Sequence, residues 1–312
     1  MSLDPEIKWV LGLVAESEYP KLNTLSPPAA RAQYDETSVK LDIEPAPMES
    51  VVEIAIGLES RFVKTRMYTP AQTGVPDPLL VWIHGGGWTI GSLDSYDRAC
   101  RGLAAQAGCR VLSVDYALAP EAPFPTAVED VLIVWENIHA RAADYGIDPA
   151  RIAVGGDSAG GNLSAVLCHE AREKGLPAPC FQLLIYPATD MTGAWPSLTT
   201  FGEGYLLEQE MMDWFSANYA GDADRADPRL SPLLNERFDG LPPAAVHTAG
   251  FDPLQDEGAA YAEKLKAAGV PVQHYHHESL IHGYFNMGGA VKAAKAAFDQ
   301  AAGDLRGAFH ST

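Results

Sequence analysis

Apolar runs long enough to cross a bilayer are missing: no stretch of the 312 residues approaches the roughly 18–20 consecutive apolar positions a spanning helix needs. A membrane span is therefore not expected. Positive charge is scarce, with 22 Lys and Arg against 41 Asp and Glu and a formal net charge of -19. Such a surface repels phosphate backbones and anionic lipid headgroups, so neither nucleic acid nor a membrane is expected as a partner. Cysteine is sparse too. Cys100, Cys109, Cys168 and Cys180 form neither a CxxC pair nor a zinc-finger spacing with histidine, which excludes a dense disulfide framework and points to buried thiols. The start of the chain carries Asp4 and Glu6 where a secretory signal would place basic and then apolar residues. A cytoplasmic protein is the expectation. Repeats and low-complexity tracts are also lacking, which leaves an ordinary globular chain long enough to bury a large core in one domain with an appendage.

What is present is an alternation. From about residue 50, short β-branched runs take turns with longer helical patterns, the rhythm of βαβ units. The strands read as "VVEIAIGL", "FVKTRMY", "LLVWIH", "RVLSVDY", "RIAVGG", "CFQLLIYP", "AAVHTAG" and "PVQHYHH", the first two joined by a short turn. Helical patterns cover residues 95–107, 127–144, 160–174, 255–268 and 290–308. Several strands are nearly continuous apolar runs, which suits a parallel sheet covered on both faces. The expected fold is α/β, a doubly wound, mostly parallel eight-stranded sheet that starts antiparallel. Two stretches break the rhythm: residues 1–45, and 190–225 with the helical "YLLEQEMMDWFSANYA". Together they make a cap over one end of the sheet, and residues 46–189 and 226–312 make the main domain.

One strand-to-helix join carries chemistry. In "RIAVGGDSAGGNLSAVL" a lone hydroxyl, Ser158, stands between glycines where the strand turns into a helix. Small neighbours relieve crowding at such a bend, and the first free amides of the helix point at whatever the hydroxyl attacks. Serine is a poor nucleophile at neutral pH and needs a base with a third group to orient it. Two late strands end in "GFDPLQDEG" and "LIHGYFN", which places Asp252 and His282 at adjacent C-terminal strand ends. Asp256 and Glu257 fall inside the following helix, where they serve as first-turn dipole partners or anchors. Three glycines, Gly85, Gly86 and Gly87, follow a buried strand in "WIHGGGWTIG" and let backbone amides approach a developing oxyanion. The sequon at Asn162 lies in the helix after Ser158, where a glycan has no room.

These motifs, with "HGGGW" at 84–88, "DYALAPE" at 115–121, "GDSAGGNL" at 156–163, "YPATD" at 186–190, "DPLQDEG" at 252–258 and "HGY" at 282–284, resemble the hormone-sensitive lipase family of microbial carboxylesterases, in its GDSAG branch. The likeness covers residues 50–305 in consistent order. It implies the α/β-hydrolase fold, Ser158 as nucleophile, His282 as general base and acid, and Asp252 as its orienter. The amides of Gly85, Gly86 and Ala159 are implied as oxyanion donors. Asp157 shapes the elbow and must point its charge away from the serine. Ala117 stands where the family often has arginine, which puts in doubt a support under the oxyanion loop, and Tyr284 stands where it often has phenylalanine.

The implied cap would bring Trp88, Tyr205, Leu206, Leu207, Met211, Met212, Trp214 and Phe215 near the serine beside Asp157. The implied activity is hydrolysis of short-to-medium acyl esters, about C2 to C8, through an acyl-enzyme. The same triad and hole also serve amides, formamides and lactones. A binding protein on this fold would lack the triad histidine, whereas His282 is present here. His274 and His276 share a strand face without a carboxylate or thiol partner, so no metal and no cofactor are expected. Relatives often dimerise through a late edge strand, which makes "PVQHYHH" and the C-terminal helix the expected homodimer surface.

Overall fold

The computed structural model describes residues 2–58, 61–71 and 76–310. Eight strands form one sheet: β1 (Ser50–Leu58), β2 (Arg61–Thr69), β3 (Asp77–Ile83), β4 (Arg110–Asp115), β5 (Ile147–Asp157), β6 (Gln182–Ile185), β7 (Ala244–Phe251) and β8 (Val272–Ile281). Their spatial order is β1-β2-β4-β3-β5-β6-β7-β8. β2 pairs antiparallel with β1 and β4, and the remaining pairings are parallel. This is the mostly parallel α/β-hydrolase sheet, and the turn expected between β1 and β2 lies outside the described residues.

The helices are α1 (Pro5–Ala15), α2 (Pro27–Ser38), α3 (Asp97–Ala107), α4 (Thr126–Ala140), α5 (Ala159–Lys174), α6 (Pro196–Phe201), α7 (Gln209–Tyr219), α8 (Gln255–Ala267) and α9 (Lys292–His310). Strand residues alternate faces, and β3 is apolar on both. Leu79, Val81 and Ile83 join the core with α4, α5 and α8, while Leu80 and Trp82 join the one with α3 and α9. In the second core Trp82 stacks on Phe285 at 5.4 Å, and Phe285 meets Phe298 at 4.7 Å. Burying each such aromatic or aliphatic side chain contributes about 1.5–3 kcal/mol, which is why a run without polar interruption settles in the middle of the sheet.

Several boundaries depart from the expected ones, two helix limits among them. The pattern read as a helix over 127–144 ends at Ala140 and gives way to a 3₁₀ turn at Ala142–Tyr145. The helix read from Tyr205 begins only at Gln209, because Leu206 holds a left-handed φ of 75° that no α-helix admits. Among the described residues no helix is long and apolar enough to cross a membrane. The four cysteines are free thiols, three of them buried and Cys180 half-buried.

Helix α1 sends Ile7 and Val10 into the second core and α7 sends Tyr219 into the first, whereas α2 and α6 place no buried apolar side chain in either. A third apolar cluster gathers Ala30 from α2, Ile90 from the loop after β3, Leu207 and Phe215 at α7, and Leu254 before α8. It packs the N-terminal segment and the 190–219 segment onto the C-terminal ends of the parallel strands.

Candidate active site

β5 ends at Asp157 and α5 begins at Ala159, so a single residue makes the bend. That residue, Ser158, has φ 53° and ψ -117°, a strained conformation for a side chain with a Cβ. The surrounding chain holds it there. The Ser158 N–H donates to the Ile185 carbonyl at 2.8 Å, and the Ser158 carbonyl accepts from Asn162 N–H at 2.9 Å and Ala188 N–H at 3.2 Å. At Gly160 any Cβ would run into the carbonyls of Ile83 and His84, so only glycine lets α5 start this close to β3. The Asn162 side chain is buried, donating to the carbonyls of Ala188 and Leu230 at 2.8 Å each.

The structure brings Ser158, His282 and Asp252 into one hydrogen-bonded line. The Ser158 Oγ lies 2.9 Å from His282 Nε2, and His282 Nδ1 lies 2.9 Å from Asp252 Oδ2. With the ring neutral, Nδ1–H donates to the carboxylate and Nε2 accepts from the serine hydroxyl. Asp252 is wholly buried, and its other oxygen accepts the Leu254 N–H at 2.8 Å. The Tyr186 ring sits 4.4 Å from the His282 ring and limits its rotation. Asp256 and Glu257 serve elsewhere. Asp256 accepts the Ser197 N–H at 2.9 Å, and Glu257 accepts the N–H groups of Thr189 and Asp190 at 2.6 and 3.2 Å. Burial pushes the Glu257 carboxyl well above its ordinary range.

The glycine loop corrects one expectation. The Gly85 N–H already donates to Asp157 Oδ1 at 2.8 Å and cannot serve an oxyanion. The amides of Gly86 and Gly87 donate to no group among the described residues, and left-handed φ values of 107° and 56° turn this backbone into a tight loop. Ala159 opens α5, so its N–H has no intrahelical carbonyl to bond. Gly86, Gly87 and Ala159 are therefore the available donors. The motif itself contains Gly87; what it hides is the acceptor that occupies Gly85. Asp157 points its carboxylate into the protein, where Oδ2 also accepts the Tyr96 hydroxyl at 2.8 Å, and burial pushes its pKa up to about 6.

His84 is a scaffold. Burial pushes its pKa down to about 4, so the neutral ring donates from Nδ1 to the Gly85 carbonyl at 2.7 Å and stacks on Tyr116 at 4.4 Å. The Tyr116 hydroxyl in turn donates to the His84 carbonyl at 3.0 Å. Ala117 places no guanidinium here; its N–H donates to Asp130 at 2.9 Å, and Asp130 also pairs with Arg61 at 2.7 Å.

A cavity of about 1140 Å³ opens on Ser158 and His282. Trp88, Asp157, Leu206, Leu207, Met211, Met212 and Phe215 line it, whereas Tyr205 and Trp214 do not. Tyr205 turns instead against Phe201 at 5.7 Å and Phe251 at 5.3 Å, because the left-handed turn at Leu206 reverses the chain. Trp214 packs behind Phe215 at 5.3 Å. Lining residues that sequence reasoning missed include Val10, Leu41, Trp195 and Met287. Val10 belongs to an amphipathic helix pattern, but nothing local says which element its apolar face meets. His274 and His276 both bond the Thr248 hydroxyl, at 3.0 and 3.1 Å. Among the described residues no group of three His, Cys, Asp or Glu is arranged to hold a metal ion.

With this geometry in place, three comparisons bear on kinship. A description of the alpha/beta hydrolase fold family matches residues 80–286. The carboxylic ester hydrolase LipN of Mycobacterium tuberculosis is 49% identical over 244 residues, 76% of this chain but 65% of that protein, so the chain spans just under two thirds of that relative. The ethyl acetate hydrolase of Pseudomonas putida is 37% identical over 303 residues, 94% of this chain and 95% of that one. Among solved structures, an ester hydrolase from the metagenome of Lake Arreo superposes with a TM-score of 0.95 at 40% identity, covering 99% of both chains.

Proposed function

The chain belongs to the alpha/beta hydrolase family, in its hormone-sensitive lipase branch, and from that premise we propose that it is a serine carboxylesterase acting on short-to-medium acyl esters. The observation that carries the reading is the unbroken line from Asp252 through His282 to Ser158, with two 2.9 Å links, set beside free amides and open to an apolar cavity. The serine oxygen attacks the ester carbonyl as His282 Nε2 takes its proton. The N–H groups of Gly86, Gly87 and Ala159 hold the oxyanion. Collapse breaks the ester bond, and the leaving alcohol takes the proton from His282. Water then attacks the acyl-enzyme, gives its proton to His282, and the acid departs as Ser158 regains its hydrogen. Asp252 keeps the imidazole in the tautomer that can accept.

Residues 1–45 and 190–225 form the cap in this reading, and 46–189 with 226–312 the catalytic domain. The cavity volume suits an ester of modest size, about C2 to C8 on the acyl side. The test is hydrolysis of p-nitrophenyl esters from C2 to C16 by the wild type and by Ser158→Ala across pH. A short-chain optimum that vanishes in the variant is expected. A variant that keeps its rate would remove Ser158 from the mechanism.

A further inference from the structure

The loop that carries the free amides is gripped from the cap side by α2. Residues 31, 34 and 35 lie on one face of that helix, spaced i, i+3, i+4, and all three reach the segment 89–96. Arg31 Nε donates to the Thr89 carbonyl at 2.8 Å, and Nη2 donates to the Ala119 carbonyl at 2.8 Å. Its two terminal nitrogens also donate to Glu121, at 3.0 and 2.5 Å. Asp35 accepts the Ser92 hydroxyl at 2.7 Å. The Tyr34 hydroxyl lies 3.4 Å from that of Tyr96, which bonds the Asp157 carboxylate that holds Gly85.

The Arg31 contacts touch the active loop almost directly. The N–H groups of Thr89 and Ile90 both donate to the Gly86 carbonyl at 3.0 Å, closing the tight turn that presents Gly86 and Gly87. The Ala119 N–H donates to the Trp88 carbonyl at 2.8 Å. A guanidinium that bonds Thr89 and Ala119 therefore clamps both ends of the Gly86–Trp88 turn. Thr89 and Ala119 are wholly buried, so carbonyls left without that donor would lose a partner where water does not readily replace it. By contrast Lys21 and Glu208, which pair at 2.7 Å between the two cap segments, meet at the surface.

We propose that α2 is a working part of the oxyanion hole, with Arg31 as the positioning residue that sets the Gly86 and Gly87 amides through the Thr89 and Ala119 carbonyls. The proposal rests on the carboxylesterase reading. It means that the cap does more than wall the cavity.

The experiment measures kcat and KM on p-nitrophenyl butyrate for the wild type, Arg31→Ala, Arg31→Lys and Lys21→Ala, with thermal melts to check folding. For Arg31→Ala, kcat is expected to fall about 10- to 100-fold with KM changed less than about twofold, since a displaced donor costs less than the 10²–10³ of a deleted one. Arg31→Lys, able to reach one carbonyl, recovers part of the loss, and it decides the matter if Arg31→Ala does not fold. Lys21→Ala keeps the wild-type kcat. A raised KM with kcat held within about twofold would reduce α2 to a cavity wall and overturn the proposal. An equal kcat loss in Lys21→Ala would also overturn it, by making any loosening of the cap sufficient. An inert wild type sinks the carboxylesterase reading and this proposal with it, whereas an active wild type with unaffected Arg31 variants sinks this proposal alone.

Discussion

The floor of the site and the cap above it are built by different means. On the floor, Asp252 is fully buried, His282 is 8% exposed, and the bend at Ser158 is enforced by carbonyls that leave no room for a Cβ at Gly160. In the cap, α1 leaves Trp9 54% and Leu13 44% exposed, and the walls of the cavity are flexible side chains such as Met211 and Met212. Main-chain sterics admit few alternatives, while apolar side-chain packing tolerates many substitutions of similar volume. In the carboxylesterase reading the floor therefore specifies the reaction, and the cap specifies what fits.

The largest effect that would sharpen this contrast lies on the floor. Asp252→Asn keeps the shape of the site but stabilises the wrong histidine tautomer, so kcat is expected to fall about 10⁴-fold with the fold intact by circular dichroism. A loss below tenfold would remove Asp252 as the orienting group. Next in size is a substitution where floor and cap touch. A Cβ at Gly87, already at φ 56°, would run into the Phe215 ring of α7. Gly87→Ala should cost about 10²–10³ in kcat, and adding Phe215→Ala should return part of it in a double-mutant cycle. Strict additivity of the two would show that backbone strain alone is at fault and that the cap does not constrain the loop.

The smallest effect concerns the carboxylate under the loop. Asp157 has a pKa of about 6 in the folded chain against 3.8 for an ordinary carboxyl, so between those values the folded protein keeps a proton that the unfolded chain has lost. The stability this contributes is fully present below pH 3.8 and is lost as pH rises through 6. Asp157→Asn removes that dependence. Relative to the wild type, the variant is expected to gain about 3 kcal/mol in urea unfolding between pH 3.5 and pH 7, at 1.36 kcal/mol per pKa unit. A gap that stays constant with pH would mean that folding leaves the Asp157 carboxyl at its ordinary pKa.

Much of the floor was readable in one dimension. A strand, a tight join and a helix can be read from local pattern, and the strand-end positions of Asp252 and His282 follow once the βαβ rhythm is seen. The oxyanion donors were half readable. The run of glycines marks the loop, but the choice between Gly85 and Gly87 depends on which amide meets the Asp157 carboxylate, 72 residues away. In the cap the reading failed at Tyr205, because helical periodicity continues through Leu206 while the backbone there does not, and at Trp214, which packs behind Phe215. The clamp from Arg31 had no signal at all: its carbonyl partners lie 58 and 88 residues along the chain.

The sequence by itself determined the eight-stranded order of elements, the bend at Ser158 and the succession of serine, acid and histidine, since each depends on residues near one another or on strand periodicity. Only the tertiary structure decided which amides remain free, which cap side chains face the cavity and how α2 holds the loop. Those outcomes depend on carbonyls and carboxylates that carry no sequence signature until folding brings a donor from another element within about 3 Å.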